Sequence, residues 1–224
     1  MGLNHSPWII TDGLNLYVDA GNTKSYPGSG TTLTDLSGNR RTGTLTNITA
    51  SGGQLAFNGT TSSVDFGNVI GTANMKTLSA WVKFNDLVNR QEIISKSTTD
   101  SGVEILVLDS NISFFVMGGT GILTSFISAT VSSLGLTTSN WYNLVGTQGG
   151  AGGTAMNFYL NGISIGTNTT PTSITDPTNL YLGRWNTTAR FFNGNIAVAS
   201  IYNRALTAAE VQQNFNALRG RFGI

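Results

Sequence analysis

Acid–base chemistry in this 224-residue chain would have to be done with three glutamates, Glu92, Glu104 and Glu210, eight aspartates and one histidine, His5. Cleaving a glycosidic bond takes two carboxyl groups set on either side of it, one as acid and one as base or nucleophile. Carboxyls two residues apart on a strand share a face, which is the simplest way for a sheet to present such a pair. None of the three glutamates has an aspartate two residues later. Glu104 and Asp109 share a predicted strand but stand an odd number apart, so they are expected to face opposite ways. A single histidine excludes a histidine-based triad and a multi-histidine metal site, and the absence of cysteine excludes disulfides and thiolate metal sites. The sequence therefore predicts no catalytic residues.

Binding chemistry has better candidates. Arg184, Trp185, Asn186, Arg190, Phe191 and Phe192 bracket one loop and combine aromatic faces, an amide and guanidinium groups, the kit for holding a sugar. The competing reading is that Trp185 and Phe192 plug one end of the core. Tyr26 is a second loop aromatic. For calcium, which needs six to eight oxygens, the loop-edge pairs are Asp19 with Asn22 and Asp65 with Asn68. Turn capping accounts for both, so no cofactor is expected, with calcium the one to test. Gln148 to Gly153 is glycine-rich, but no helix or lysine follows, so it is a hairpin loop and not a phosphate cradle.

Composition narrows the partners. Only 10% of residues are charged, the net charge is +1, and 28 are glycine. Such a chain lacks the basic footprint of a nucleic-acid binder, and no stretch is apolar enough to insert in a membrane. Met1 to Ser6 fits the N-myristoylation pattern, but six residues also read as a plain leader. The length suits one large all-β domain, with residues 1–12 as an N-terminal arm, 13–219 as the domain and 220–224 as a C-terminal tail. Trp8, Ile9 and Ile10 at one end and Arg219, Arg221, Phe222 and Ile224 at the other either dock the protein onto a larger assembly or fold back over a sheet edge.

These candidates need a scaffold of short strands. Leu14–Ala20 alternates at period two, and Thr77–Phe84 does so cleanly, with Leu78, Ala80, Val82 and Phe84 on one face. Further strands are predicted at 43–48, 54–58, 62–66, 92–96, 103–109, 112–117, 123–128, 141–147, 156–160, 163–165 and 179–185, the middle group as an antiparallel meander. Asn58-Gly59 and Asn161-Gly162 are tight-turn dipeptides. Ile196 to Ile201 is apolar on both faces, which fits a central strand. Thr207 with Glu210 forms a capping box that starts an amphipathic helix carrying Val211, Phe215 and Leu218, with Gly220 as its expected stop.

Several blocks also resemble one family in its own order. "LYVDAGN" from Leu16, "DLSGN" from Asp35, "TLSAWVKF" from Thr77, "WYNLVGT" from Trp141, "FYLNGISIG" from Phe158, "NLYLGRW" from Asn179 and Tyr202-Asn203-Arg204-Ala205-Leu206 are similar to the laminin-G-like domains of the concanavalin A-like lectin and glucanase superfamily. The resemblance implies a jelly-roll sandwich of two antiparallel sheets with one short C-terminal helix. The E-x-D-x-x-E motif of the family's glucanase branch is absent, and Ala197 stands where an Asp is frequent. With its low charge, the chain resembles the phage virion type. That implies a non-catalytic structural or binding module, such as a capsid decoration or a tail-fibre piece that contacts a receptor. Its partners would be other virion proteins or copies of itself, with a surface glycan as ligand. A free carbohydrate-binding lectin is the alternative, and a glycosidase relative that has lost its active site is a third reading.

Overall fold

A computed structural model describes residues 7–71, 75–98, 101–118, 124–149, 155–169, 178–186 and 189–224. The myristoylation pattern and His5 lie outside them, as do Gly150 to Gly153. In chain order the strands are β1 (Leu14–Asp19), β2 (Thr32–Thr34), β3 (Thr42–Thr46), β4 (Thr49–Ser51), β5 (Gln54–Asn58), β6 (Ser63–Asp65), β7 (Thr77–Phe84), β8 (Gln91–Ser97), β9 (Ser101–Leu108), β10 (Asn111–Gly118), β11 (Thr124–Thr130), β12 (Trp141–Gln148), β13 (Ala155–Leu160), β14 (Ile163–Thr169), β15 (Tyr181–Leu182) and β16 (Asn193–Tyr202). The helix α1 (Ala208–Leu218) follows and runs into a 3₁₀ turn, Arg219–Phe222.

Every pairing is antiparallel, in two sheets. The first has the order β14-β13-β12-β7-β16-β5-β4, with β1 beside the second half of β16; the second has the order β11-β10-β9-β8-β15-β6-β3-β2. Their inner faces share one core, in which Leu78, Val82, Phe84 and Leu144 of the first sheet meet Ile94, Ile105, Val107 and Phe114 of the second. This is the expected sandwich. Strand β16 is apolar on both sides because its outer face is also covered: Val198 and Trp81 pack against Phe215 of α1, with the Trp81 and Phe215 rings stacked at 5.6 Å. The helix begins as its sequence predicts, with Thr207 and Glu210 capping each other.

Four expectations change. The helix does not stop at Gly220; Arg219 stays helical and the left-handed residue is Gly223 (φ 73°). Strands β5 and β6 flank Asn58-Gly59 but belong to different sheets, so that turn carries the chain across the sandwich, held by Asn58 Oδ1 accepting the amides of Thr60, Thr61 and Ser62. Short strands β2 and β4 lie outside the predicted strands. Of 179–185 only Tyr181–Leu182 is strand, because Gly183 turns the chain away at φ 80°. Among the described residues no helix is long and apolar enough to cross a membrane.

Candidate functional site

Strand β8 contains a bulge between Glu92 and Ile94, which sends both Ile93 and Ile94 into the core. Ordinary alternation would have turned Ile94 outward. The bulge instead places Glu92 and Ser95 together on the outer face of the second sheet. Ser95 lies opposite Glu104 and Glu92 opposite Leu106, so the two glutamates are diagonal neighbours on adjacent strands. Register then carries the row outward: Tyr181, Ser95, Glu104, Phe115 and Phe126 face one another across five strands. The row ends in a ledge of two stacked rings, Phe115 and Phe126, at 5.0 Å.

The segment after β15 closes over the middle of this row. Its neck is pinned where Phe192 N–H donates to the Gly183 carbonyl (2.9 Å) and Gly183 N–H to that of Ile93 (3.0 Å). A side chain at Gly183 would collide with the Phe57 ring, so glycine is needed there for space as well as for its φ. Ser95 Oγ donates to the Arg184 carbonyl (2.7 Å), and the Trp185 indole donates to Ser97 Oγ (3.0 Å). The Arg190 guanidinium lies 3.9 Å above the Trp185 ring, and that of Arg184 4.0 Å from the Tyr181 ring. Phe192 enters the core between Phe57 and Phe84.

Beneath this cover Glu92 and Glu104 are almost wholly shielded, with side-chain exposures of 0% and 1%. Arg90 reaches both, at 3.2 Å from Glu92 and 3.7 Å from Glu104, and Arg190 stands 3.7 Å from Glu92. Ser97 donates to Glu104, while one oxygen of each carboxyl (Oε2) is buried with no hydrogen-bond partner. Burial pushes the Glu92 carboxyl well up from its ordinary value and the charge of Glu104 pushes it further, against the pull of Arg90 and Arg190. Burial also raises Glu104, opposed first by the Ser97 hydrogen bond. The same arginines line an open cleft of about 490 Å³, together with Phe191, Asn58, Thr60, Asp86, Asn89, Gln91 and Asn193. Gln91 Oε1 accepts the Asn193 amide (2.8 Å), and Asp86 is tied to Asn89 Nδ2 (2.7 Å) and the Val88 amide (2.7 Å), so the cleft wall is held in place.

Of the loop residues singled out from sequence, Arg190 and Phe191 face the cleft, and Arg184, Trp185 and Asn186 pack beside and beneath them. Arg90 and the glutamate pair were missed. Their signal is the run Glu92-Ile93-Ile94-Ser95, whose polar–apolar–apolar–polar order marks a bulge. Tyr26 is not a loose aromatic but a buried one, donating to the Gly30 carbonyl (3.3 Å). Asp19 Oδ1 takes the Gly21 amide (2.8 Å) and pairs with Arg221 (2.6 Å), and Asn22 Oδ1 accepts the Lys24 amide (3.0 Å). Asp65 accepts from Gly67 and Asn179, and Asn68 from Lys96. Among the described residues no three acidic or histidine side chains gather to hold a metal ion. At the ends, Ile10 N–H donates to Asn214 Oδ1 (2.7 Å) and Tyr202 Oη donates to the Ile10 carbonyl (2.9 Å). Phe222 stacks on Trp81 at 4.1 Å, and Ile9 lies near Trp81 and Leu218. Arg219 is exposed, and Trp8 projects at 86% exposure.

This sandwich with its capping helix is the architecture of a known class. A family model described as the concanavalin A-like lectin/glucanases superfamily matches residues 58–212, well over half the chain. The chain belongs to that superfamily, as a laminin-G-like member. No curated protein matches the sequence. Solved structures of similar fold include the receptor-binding domain of botulinum neurotoxin C/D mosaic serotype (TM-score 0.72, 15% identity, covering 92% of this chain and 51% of that one). Another is the binding domain of botulinum neurotoxin DC in complex with rat synaptotagmin II (0.73, 18%, 93% and 52%), and a third the same domain in complex with SialylT (0.72, 17%, 93% and 52%). The chain spans about half the length of these solved domains, and identities this low speak for the fold alone.

Proposed function

We propose that this chain is a non-catalytic binding module, carried on a virion as a capsid decoration or receptor-contacting piece, that holds a glycan in the cleft of Arg90, Arg190 and Phe191. The observation that carries this reading is the division of labour at the site. The open cleft offers guanidinium groups, an aromatic edge and the amides of Asn58, Asn89 and Asn193, the groups that hold sugar hydroxyls. The carboxyls that hydrolysis would require lie sealed beneath the arginines, where no glycosidic oxygen reaches them. Solved domains of this fold are named as a receptor-binding domain and as binding domains, one with synaptotagmin II and one with SialylT, which supports a binding role. The virion setting rests on the family resemblance and the low-charge composition.

An immobilised glycan panel tests the ligand. Arg190→Ala and Asn193→Ala should each weaken retention by roughly tenfold while leaving the far-ultraviolet spectrum unchanged, the effect of losing about 1–2 kcal/mol of polar contact. A panel with no retained glycan, or retention that both variants leave intact, removes the cleft as the binding site. Release of sugar from a retained glycan that vanishes in Glu104→Gln would overturn the non-catalytic reading. Quantitative proteomics of purified particles tests the virion setting, and absence from every particle fraction refutes it.

A further inference from the structure

We propose that the cleft takes uncharged sugars and rejects acidic ones, because both of its arginines already have their counter-ions beneath them. This rests on the cleft being the ligand site, and it names the class of ligand. Arginines in a binding cleft ordinarily point to a carboxylate or sulfate on the ligand. Here that role is filled from inside the protein. Arg90 lies 3.2 Å from Glu92 and 3.7 Å from Glu104, while Arg190 lies 3.7 Å from Glu92 and 3.9 Å above the Trp185 ring. The remaining charged group that lines the cleft is itself an acid, Asp86. Two guanidiniums therefore stand against three carboxyls, and a proton on either glutamate only brings the two signs level. Arg184, the next cation, turns to the Tyr181 ring and does not line the cleft.

A ligand carboxylate can gain an arginine only by drawing it off a glutamate. Glu92 and Glu104 are shielded from water, and the Oε2 of each already lacks a hydrogen-bond partner. Stripping the guanidinium from either leaves a buried charge uncompensated, which is the costly way to break such a pair. The same ligand charge would also approach Asp86, a like-charge contact of the kind that excludes wrong partners. A hydroxyl asks for none of this. A guanidinium carries more N–H donors than these glutamates engage, so it can donate to a hydroxyl oxygen while the ion pairs stay closed. Asp86 keeps lone pairs beyond those that take the Val88 amide (2.7 Å) and Asn89 Nδ2 (2.7 Å), and can accept a hydroxyl proton. Phe191 offers an apolar surface to the C–H side of a sugar ring.

Each glycan retained on the panel is compared, at low salt and pH 8, with its own derivative oxidised from a terminal CH₂OH to a carboxylate. The native protein should retain the uncharged form about tenfold better, the margin of one unfavourable charge contact. In the Glu92→Gln/Glu104→Gln double variant the glutamines keep the shape of the pair and drop its charge, and with an unchanged far-ultraviolet spectrum the preference should vanish or reverse. A second measurement needs no glycan. Sulfate is titrated into the protein while the guanidinium ¹³Cζ signals of Arg90 and Arg190 are followed by NMR. In the native protein they should move no more than that of the exposed Arg219, and in the double variant they should shift and saturate. A saturable sulfate shift in the native protein overturns the proposal, as does retention of the carboxylate form at parity or better. A folded double variant that gains neither sulfate nor the carboxylate form overturns it too, because the glutamates are then not what holds acids off. An empty panel, or retention that Arg190→Ala leaves intact, counts against the cleft as the ligand site, and the sulfate titration still decides whether its arginines are open to an acid.

Discussion

Glu92 costs the fold energy when ionised, and that makes its replacement an unusual test. The raised folded values of Glu92 and Glu104 mean that the folded protein binds protons more tightly than the unfolded chain. Stability from these groups is fully present below the unfolded value and is lost as pH rises through the folded values. Glu210 has the opposite sign: its salt bridge to Arg204 holds it down to about 2, so its contribution is present above the unfolded value and is lost as pH falls toward 2. Glu92→Gln should therefore leave the melting temperature at pH 8 unchanged or raise it, and should shrink the gain on acidification to pH 5. A drop of several degrees at pH 8 would mean that the ionised pair, not the protonated one, is the stable form. At this scale the sequence was only half legible. The loop of Arg184 to Phe191 stands out by composition, since aromatic and guanidinium groups cluster there in an otherwise low-charge chain. The carboxyl pair does not, because its members lie 12 residues apart on different strands and meet only through the β8 bulge.

Elements were read best where pattern and chemistry agree. Thr77–Phe84 alternates without exception and is found with those bounds, while Thr207 and Glu210 cap α1 reciprocally. Removing the cap hydroxyl in Thr207→Ala should cost about 1 kcal/mol. For a chain of this length that lowers the melting temperature by roughly 2–4 °C, measured by calorimetry. The misreadings share a cause, which is that a strand's sheet partner is not written in its own residues. Asn58-Gly59 has the local chemistry of a hairpin, yet β5 and β6 pair in different sheets, and the turn dipeptide serves the crossing equally well. "NLYLGRW" alternates like a strand but ends at Leu182, because Gly183 must avoid the Phe57 ring and adopt a left-handed turn. Gly183→Ala should therefore disturb the loop neck and lower glycan retention together with the melting temperature. Loss of neither would show that the neck has room that the Phe57 contact denies.

At the scale of the whole molecule the two outer faces of the sandwich are used differently. The outer face of the second sheet carries the Phe115–Phe126 ledge, and the cleft lies at one end of the sandwich, lined by the connections that cross from β5 to β6, β7 to β8 and β15 to β16. The outer face of the first sheet is covered by α1, Ile9 and Ile10 of the arm and the 3₁₀ turn, so both ends of the domain lie on one side. Arg221 pairs with Asp19, so a melt with chelator is expected to match one without; a loss of many degrees would reveal a carbonyl-built calcium site. The ends are a sharper test. Phe222 lies 4.1 Å from Trp81 and 5.0 Å from Trp141, and Arg221 joins Asp19 to the Gly53 carbonyl, so the last turn ties α1 to β1, β7, β12 and the β4–β5 turn. Deleting residues 220–224 strips a half-buried ring and an ion pair from that layer. The expected cost is about 2–3 kcal/mol, below the range for a fully buried Phe because Phe222 keeps some exposure. The melting temperature should fall by roughly 4–12 °C, while glycan retention at 20 °C persists, because no residue that lines the cleft belongs to that layer. Were the ends docking elements held in reserve for an assembly, the same deletion would leave the melt unchanged and remove the protein from its particle. A melt and a particle-incorporation assay on one truncated protein thus separate the two roles.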